Sequence, residues 1–355
     1  MGGPKVRRRQ PGIETLLPFH APWRPFGLAD AFGAIWTESM ARARVVEVTG
    51  FGSNPGGLQM YVYAPPRVPA ARPLVVVLHG CGQESVEFAV DGGWLALAER
   101  YRLALLLPEQ TATNNHGRCF SWFNAADTHR GSGEAKSIRQ MVRTATQRFR
   151  SHPRQIYVAG FSAGAGMAAA LLAAYPAVFA AGGIAAGMPV GCASGSVRAL
   201  MQMRRAPWFR TRIGLAADVL ARAPARPSKG WPRVSIWQGL RDRTVDPRNA
   251  DALAAQWSEL HGWGEAPSLR EDFTGGVRRV AWGREARPAV ELWTLANLGH
   301  GFPISAGEPG HGRIGPWVVD AGIAAAQRMA EFWGLTAATG RARLSPARSG
   351  SARRT

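Results

Sequence analysis

Acidic residues, cysteines and long apolar stretches are all scarce in this sequence of 355 residues. No run of about 18 apolar residues is free of charges or helix breakers, so we expect no membrane-spanning helix. The three cysteines form no Cys-x-x-Cys pair, so a metal site is not expected either. They allow one disulfide at most, and the alternative is three reduced thiols.

The shortage of acidic residues leaves the chain strongly basic. It has 24 Asp and Glu against 43 Lys and Arg, a net charge of +19. Nucleic acid is the first partner that such a charge suggests. The sequence contains no zinc-finger spacing, aromatic RNA-binding motif or helix-turn-helix pattern, so we do not expect this partner. We predict instead a basic N-terminal extension over residues 1–44 and a disordered basic tail over residues 336–355.

Strand-like and helix-like segments alternate over residues 45–335. Residues 74–78 and 103–107 are continuous apolar runs, typical of strands that are buried on both faces of a parallel sheet. Residues 45–63 have the pattern of a β-hairpin. The alternation predicts one α/β domain with a mostly parallel central sheet and helices on both faces.

Two further predictions concern the second half of this domain. Residues 190–230 have few strand signals and are rich in Arg, Ala and Pro, which indicates a helical insertion or lid. The last strand is expected at residues 289–295, and the closing helix at residues 318–332.

The first candidate catalytic residue is Ser162, in the pattern Gly160-x-Ser162-x-Gly164. The strand formers of residues 156–158 precede it and an Ala/Leu-rich helix, residues 167–174, follows it. Such a corner is typical of a strained turn that presents a nucleophilic serine, because a side chain at either flanking position would clash. The alternative is a glycine-rich corner that only packs a helix on a sheet.

A serine nucleophile needs a base and an acid, and both are expected on loops that follow later strands. The strand over residues 234–238 leads to Asp242, which is the favoured acid, and Asp246 is the alternative. The strand over residues 290–295 leads to a histidine between two glycines, His300.

His300 is the favoured base because it directly follows a strand, whereas the alternatives His261 and His311 do not. In this arrangement the histidine removes the proton of the serine and the aspartate orients the histidine. The reaction requires no metal and no cofactor.

Hydrolysis of an ester or amide also needs two hydrogen-bond donors for the oxyanion. The backbone N–H of Ala163, next to the nucleophile, is one candidate. The second is the N–H of Cys81, which follows the apolar strand at residues 74–78, where Gly80 allows the backbone to turn.

Several motifs together resemble the poly(3-hydroxybutyrate) depolymerase family of esterases, which is similar to feruloyl and acetylxylan esterases. The resemblance covers about residues 50–335 and rests on His79-Gly80-Cys81-x-Gln83, Cys119-Phe120-Ser121-Trp122-Phe123, Arg130-Gly131-x-Gly133-Glu134 and Gly160-x-Ser162-Ala163-Gly164. It implies an α/β-hydrolase fold, ester substrates and a triad of Ser162, Asp242 and His300. Gln238 departs from the family, whose members often have His at this position.

Two cysteines fall on loops that should border the site. A bridge between Cys81 and Cys119 would hold the oxyanion turn against the loop of Trp122. Gln83 and Trp122 would then lie at the pocket as substrate-binding residues, and Cys192 would remain the free thiol.

The resulting hypothesis is a serine esterase that acts on polyhydroxyalkanoate polymer or oligomers. The alternatives are a feruloyl or acetylxylan esterase and, from another class, a non-catalytic protein that binds polymer or nucleic acid on a hydrolase scaffold. The resemblance implies an extracellular location. The basic residues Arg7–Arg9 are not followed by the apolar segment of a secretory signal, which makes the cytoplasm the alternative.

Overall fold

The computed structural model describes residues 40–66, 70–206, 209–224, 227 and 230–336. Residues 1–39 of the predicted N-terminal extension and residues 337–355 of the predicted tail lie outside this description. The strands are β1 (Val46–Glu47), β2 (Gln59–Tyr63), β3 (Leu74–Leu78), β4 (Ala104–Glu109), β5 (Ile156–Phe161), β6 (Ala181–Ala185), β7 (Arg233–Gly239), β8 (Leu269–Phe273), β9 (Val277–Arg284), β10 (Arg287–Leu295), β11 (Phe302–Ile304) and β12 (Val318–Asp320).

The helices follow the strands in the alternating order that the sequence predicts. They are α1 (Ser85–Asp91), α2 (Trp94–Tyr101), α3 (Ala125–Thr128), α4 (Gly133–Phe149), α5 (Ala163–Ala174), α6 (Ser196–Arg204), α7 (Arg212–Leu220), α8 (Arg248–Leu260) and α9 (Ala325–Trp333). The helices α6 and α7 lie in the segment predicted to be a helical insertion.

The described residues form a ten-stranded sheet in the order β1-β2-β4-β3-β5-β6-β7-β10-β9-β8. The six central strands, from β4 to β10 in this order, run parallel, while β1, β2, β9 and β8 pair antiparallel at the two ends. This arrangement confirms the prediction of a mostly parallel sheet. Since parallel strands end at one edge, the loops after β3, β5, β7 and β10 converge there.

Both faces of the sheet are buried under helices. Along β3, Leu74, Val76 and Leu78 contribute to one apolar cluster, whereas Val75 and Val77 contribute to the other. Alternation of this kind follows from the two-residue period of a strand. It explains why this segment is apolar throughout, since each such side chain stabilises the fold by about 1.5–3 kcal/mol when fully buried.

Two predicted elements near the C-terminal end were wrong. The strand β10 is not the last, because β11 and β12 form a separate two-stranded parallel sheet after it. The closing helix begins at Ala325, not at residue 318, because Val318–Asp320 is extended and pairs with Phe302–Ile304. Gly322, with φ +66°, separates that strand from the helix.

Candidate active site

Ser162 lies at the corner between β5 and α5, with φ 54° and ψ −117°. This conformation is strained for a residue with a side chain. A Cβ on Gly160 would overlap the Gly164 carbonyl, and a Cβ on Gly164 would overlap the carbonyl of His79. Both flanking positions therefore require glycine. The helix begins at Ala163, four residues earlier than predicted, so its N-terminus lies directly at the serine.

The structure joins the three predicted triad residues in one chain of hydrogen bonds. His300 Nε2 lies 3.0 Å from Ser162 Oγ, and His300 Nδ1 lies 2.8 Å from Asp242 Oδ2. In sequence, His300 is 138 positions from Ser162 and 58 positions from Asp242. The loops after β5, β7 and β10 bring the three residues together. The imidazole lies between the rings of Phe161 and Trp317, at centroid distances of 5.1 and 5.9 Å.

The Asp242 carboxylate is buried and accepts four hydrogen bonds. Its Oδ1 accepts from the backbone N–H groups of Thr244 and Val245, at 2.8 and 2.9 Å. Its Oδ2 accepts from Gln238 Nε2 at 3.1 Å as well as from His300. With both oxygens held, the carboxylate can orient the imidazole and stabilise a positive charge on it.

The alternative acid and bases lie in other surroundings. Asp246 is paired with Arg248, whose Nη2 lies 2.5 Å from its Oδ2. His261 bonds to a backbone carbonyl at 3.0 Å. His311 pairs with Glu308 at 2.9 Å. None of these contacts involves Ser162.

The two predicted oxyanion donors are backbone N–H groups close to Ser162 in the chain or at the turn after β3. Among the described residues, neither the N–H of Cys81 nor that of Ala163 donates to a protein acceptor. The turn around Cys81 is held by Gln83, whose Oε1 accepts from the N–H of Gly80 at 2.8 Å. Two backbone donors without internal partners suit an oxyanion at this corner.

Gln83 uses its side-chain amide within the protein. Besides holding Gly80, it donates through Nε2 to the carbonyl of Pro316 at 2.7 Å, and the residue is buried. These contacts brace the turn that follows β3 against the loop before β12. A role of Gln83 in substrate binding stays a prediction.

A disulfide joins Cys81 to Cys119, with the Cα atoms 4.3 Å apart, so the bridge considered from the sequence is present. It ties the turn after β3 to the loop that carries Trp122. Cys192 is the free cysteine. Burial, together with the nearby Asp218, raises the pKa of its thiol to about 12, so it is a poor nucleophile at neutral pH.

Trp122 lies on the first turns of α5. A Cβ on Gly166 would lie 2.7 Å from Trp122 Cγ, so this glycine allows the indole to rest on the helix backbone. The indole contacts Phe123 edge to face, with centroids 5.6 Å apart. Together they line a pocket next to α5. Trp122 thus lies one helical turn from Ser162, and its contact with substrate stays a prediction.

A buried polar network connects the turn after β3 to the loop of Trp122. The sequence did not predict this network. His79 Nε2 accepts from the N–H of Gln110 at 3.1 Å, and burial lowers the pKa of His79 to about 4, so the ring is neutral. Gln110 Nε2 donates to Glu134 Oε1 at 2.7 Å, and the N–H of Ser121 donates to Oε2 at 2.9 Å. Burial raises the pKa of Glu134 to about 7.

Two neighbours of the triad were also missed as site residues. The sequence contained a signal for Gln238, because members of the resembled family often have histidine at this position. Trp317 had none, since it lies outside any strand–loop pattern. Its side chain is 54% exposed and its φ is +62°, and it flanks His300 at the mouth of the site.

No group of three metal-ligating side chains occurs in the described part of the chain. Every helix found there is too short or too polar to cross a membrane.

Comparisons with known proteins place this chain among esterases. The family model described as Esterase PHB depolymerase matches residues 58–281. Poly(3-hydroxyalkanoate) depolymerase C of Paucimonas lemoignei is 33% identical over 293 residues, which cover 82% of this chain and 70% of the relative. Feruloyl esterase B of Talaromyces stipitatus is 28% identical, over 74% of this chain and 73% of its own.

Acetylxylan esterases are similar in sequence and in fold. Acetylxylan esterase A of Aspergillus oryzae is 28% identical, over 74% of this chain and 85% of its own. The solved structure of the acetyl xylan esterase from Aspergillus awamori superposes with a TM-score of 0.69 and 24% identity, over 82% of this chain and 99% of that one. The latter similarity establishes an α/β-hydrolase fold.

Proposed function

This chain belongs to the Esterase PHB depolymerase family and is a carboxylic ester hydrolase, and we propose that Ser162, His300 and Asp242 carry out the hydrolysis. The observation that carries this proposal is the unbroken chain of hydrogen bonds from Ser162 Oγ through the imidazole to the buried carboxylate. A non-catalytic protein on the same scaffold would need neither these linked hydrogen bonds nor the strained corner that presents the serine.

In the proposed reaction His300 Nε2 accepts the Ser162 hydroxyl proton while Oγ attacks the ester carbonyl carbon. The imidazolium that forms is stabilised by Asp242. When the tetrahedral intermediate collapses, the alcohol leaves with the proton from His300, and the acyl group remains on Oγ. A water molecule, deprotonated by His300, then attacks the acyl-enzyme and releases the carboxylic acid.

The oxyanion of both tetrahedral intermediates would accept hydrogen bonds from the N–H groups of Cys81 and Ala163. Neither N–H has an acceptor among the described residues, which supports this assignment. The Cys81–Cys119 bridge and the Gln83 contacts hold the first donor in place before substrate binds. Donors fixed in advance need no reorganisation during the reaction, which is the source of their effect on rate.

We further propose that the substrate is a polyester of hydroxy acids or its oligomers. We choose this substrate class because the relative named as a poly(3-hydroxyalkanoate) depolymerase is 33% identical, whereas the feruloyl and acetylxylan esterases are 28% identical. An exposed indole beside His300, that of Trp317, adds apolar surface at the mouth of the site, as a repeating apolar ester requires.

The proposed catalytic domain spans residues 45–335. Strands from across this range contribute to both apolar clusters, which supports one domain. The described part of the insertion at residues 190–230 contacts the loop of Trp122 and the loop of Asp242. Just before α6, the N–H of Gly195 donates to the Phe123 carbonyl. Within α6, the carbonyl of Met203 accepts from the N–H of Asp246. This position supports a role as a cover.

An extracellular or other oxidising location is the proposed compartment. The Cys81–Cys119 disulfide supports it, because such bridges persist in oxidising compartments and are rare in the cytosol.

The test is hydrolysis of a panel of esters by the full chain and by Ser162→Ala. We expect the wild type to hydrolyse p-nitrophenyl butyrate, 3-hydroxybutyrate oligomers and polyhydroxybutyrate film. Ser162→Ala should lose about 10³-fold or more in kcat, with an unchanged melting curve. Near wild-type activity in this variant would place the nucleophile elsewhere. A preference for ethyl ferulate or acetylated xylan would reject the polyester assignment but keep the triad.

A further inference from the structure

A pocket lies beside the catalytic corner, on the face of α5 that carries Ser162. Its floor is formed by Gly166 and Ala170, which follow Ser162 at intervals of four residues. Such positions share one face of a helix. With a rise of 1.5 Å per residue, the floor begins about 6 Å from the serine along the helix axis. Trp122 and Phe123 form an aromatic wall.

The lining of this pocket also carries a positive charge. Arg222 is the only ionisable residue among the described residues that line it. Its Nη1 donates to the backbone carbonyl of Asp218 at 2.7 Å and contacts the edge of Gly191. The pocket, defined by Trp122, Phe123, Gly166, Ala170 and Arg222, is called the Arg222 pocket below.

No carboxylate within the described residues pairs with the Arg222 guanidinium. The carboxylate of Asp218, the residue whose backbone carbonyl accepts from Arg222, accepts instead from Arg210 Nη1 at 2.5 Å. The sequence contains no Asp or Glu from residue 135 to residue 217, the stretch that supplies α5 and the lining residues from Gly166 to Ser194. A guanidinium has five N–H donors, and the Arg222 side chain makes only one hydrogen bond to the described residues.

A hydroxyl group adds to the polar lining. Thr128 and Ser194 both line the pocket, and the Thr128 hydroxyl donates to the carbonyl of Asn124 at 2.9 Å. The pocket therefore has an aromatic wall, small residues on its floor, a cation and the hydroxyl of Ser194. A short apolar chain that ends in a carboxylate matches this combination, since arginine binds carboxylates through paired hydrogen bonds.

The length of a polyester unit can be compared with the distance from the serine to the near end of the pocket. In a polyester of 3-hydroxy acids, the terminal unit has its carboxylate carbon four bonds from the scissile carbonyl carbon, about 5 Å when extended. This length is close to the rise of about 6 Å along the helix axis from Ser162 to Gly166, where the pocket begins. The unit in question is on the alcohol side of the ester that is cleaved.

We propose that the Arg222 pocket binds the free carboxylate at the end of an oligoester, so that the enzyme removes the terminal hydroxy acid unit. The proposal rests on the esterase mechanism given above. Ser162 Oγ takes the acyl part of the chain, and the alcohol oxygen of the terminal unit receives the proton from His300. The hydroxy acid then leaves with its carboxylate on Arg222, and water releases the shortened chain from the serine.

The experiment compares the free acid of a 3-hydroxybutyrate trimer with its methyl ester, which lacks the terminal charge. For the wild type we expect kcat/KM to be about tenfold to a hundredfold higher for the free acid, the range for a hydrogen bond to a charged group. Arg222→Gln should bring this ratio close to one. Arg222→Lys, which retains the charge without the planar fork, should give an intermediate ratio.

The matched control is Arg198→Gln, which removes one charge from the exposed side of α6, outside the pocket. It should keep the wild-type ratio. Equal hydrolysis of both trimers by the wild type, or an unchanged ratio in Arg222→Gln, would overturn the proposal. Hydrolysis of p-nitrophenyl butyrate tests the esterase mechanism apart from the Arg222 pocket. A wild type that fails to hydrolyse this ester would contradict the esterase mechanism itself.

Discussion

Gln238 donates through Nε2 to Asp242 Oδ2 at 3.1 Å, the same oxygen that accepts from His300. The other amide atom, Oε1, is buried without a hydrogen-bond partner among the described residues. A buried side chain that leaves one polar atom unpaired while the other holds the acid of the triad is well placed to position that acid.

We therefore expect Gln238→Leu to lower kcat for p-nitrophenyl butyrate by about tenfold, because the variant loses one hydrogen bond to a charged group. KM should change little, since Gln238 does not reach the substrate side of the serine. Gln238→His retains a ring N–H and should recover most of the activity. Equal losses in both variants, with lowered melting temperatures, would instead indicate a purely structural role.

Asp242 and Asp246 can be separated by paired substitutions. Asp242→Asn should lower kcat by about 10⁴-fold, as expected when the carboxylate that orients a catalytic histidine is lost. Asp246→Asn should retain near wild-type activity, because this carboxylate pairs with Arg248 at the surface. Steady-state kinetics of both variants decide the matter, and a large loss only in Asp246→Asn would reverse the assignment.

Trp122→Ala tests the aromatic wall. Removal of the indole from Gly166 should raise KM for bulky acyl or alcohol groups more than for acetate esters, because it removes apolar contact and leaves the triad intact. The measurement is the KM ratio of p-nitrophenyl octanoate to p-nitrophenyl acetate in both proteins. The same change in KM for the two esters would show that this wall does not contact the acyl group.

The disulfide gives a prediction about both thiols and stability. The denatured, unreduced protein should have one reactive thiol, Cys192, and three after reduction. Replacement of Cys81 and Cys119 by serine should cost about 2–4 kcal/mol of unfolding free energy and lower kcat, because the oxyanion turn loses its tether. Cys192→Ser serves as the control and should retain activity. Three reactive thiols without reduction would exclude the bridge.

The sequence predicted those parts of the site that depend on local pattern. Gly160 and Gly164 identify the strained corner of Ser162, and the strands before Asp242 and His300 place both at one edge of the sheet. These signals are strong because each depends on a single local feature. For Ser162 the feature is one backbone conformation, and for Asp242 and His300 it is the end of one strand. The β10 strand was predictable from its apolar residues, and the α5 helix from its Ala/Leu-rich composition.

Other parts depend on contacts between residues far apart in sequence. Trp317 reaches His300 only because Phe302–Ile304 pairs with Val318–Asp320, a short parallel pairing that leaves little trace in local composition. The closing helix was placed too early because Val318–Asp320 continues the apolar pattern of the helix. Arg222 lines its pocket through the packing of the insertion, which no periodicity indicates.

Glu134 provides the prediction for pH. Burial raises its pKa from 4.5 to about 7, although hydrogen bonds from Ser121 and Gln110 act in the opposite direction. The folded state therefore binds this proton more tightly than the unfolded state does. Its stabilising effect is fully present below pH 4.5 and is lost as the pH rises through about 7, and it amounts to about 3 kcal/mol.

Glu134→Gln removes the titration but retains the shape of the side chain. We expect it to be less stable than the wild type at pH 5, because its amide group faces the N–H donors of Ser121 and Gln110. Between pH 5 and pH 8 the wild type should lose about 2–3 kcal/mol relative to the variant, since only the wild type must ionise a buried carboxyl group. Urea unfolding at both pH values measures this difference. Parallel changes in the two proteins would mean that Glu134 does not contribute to the pH dependence.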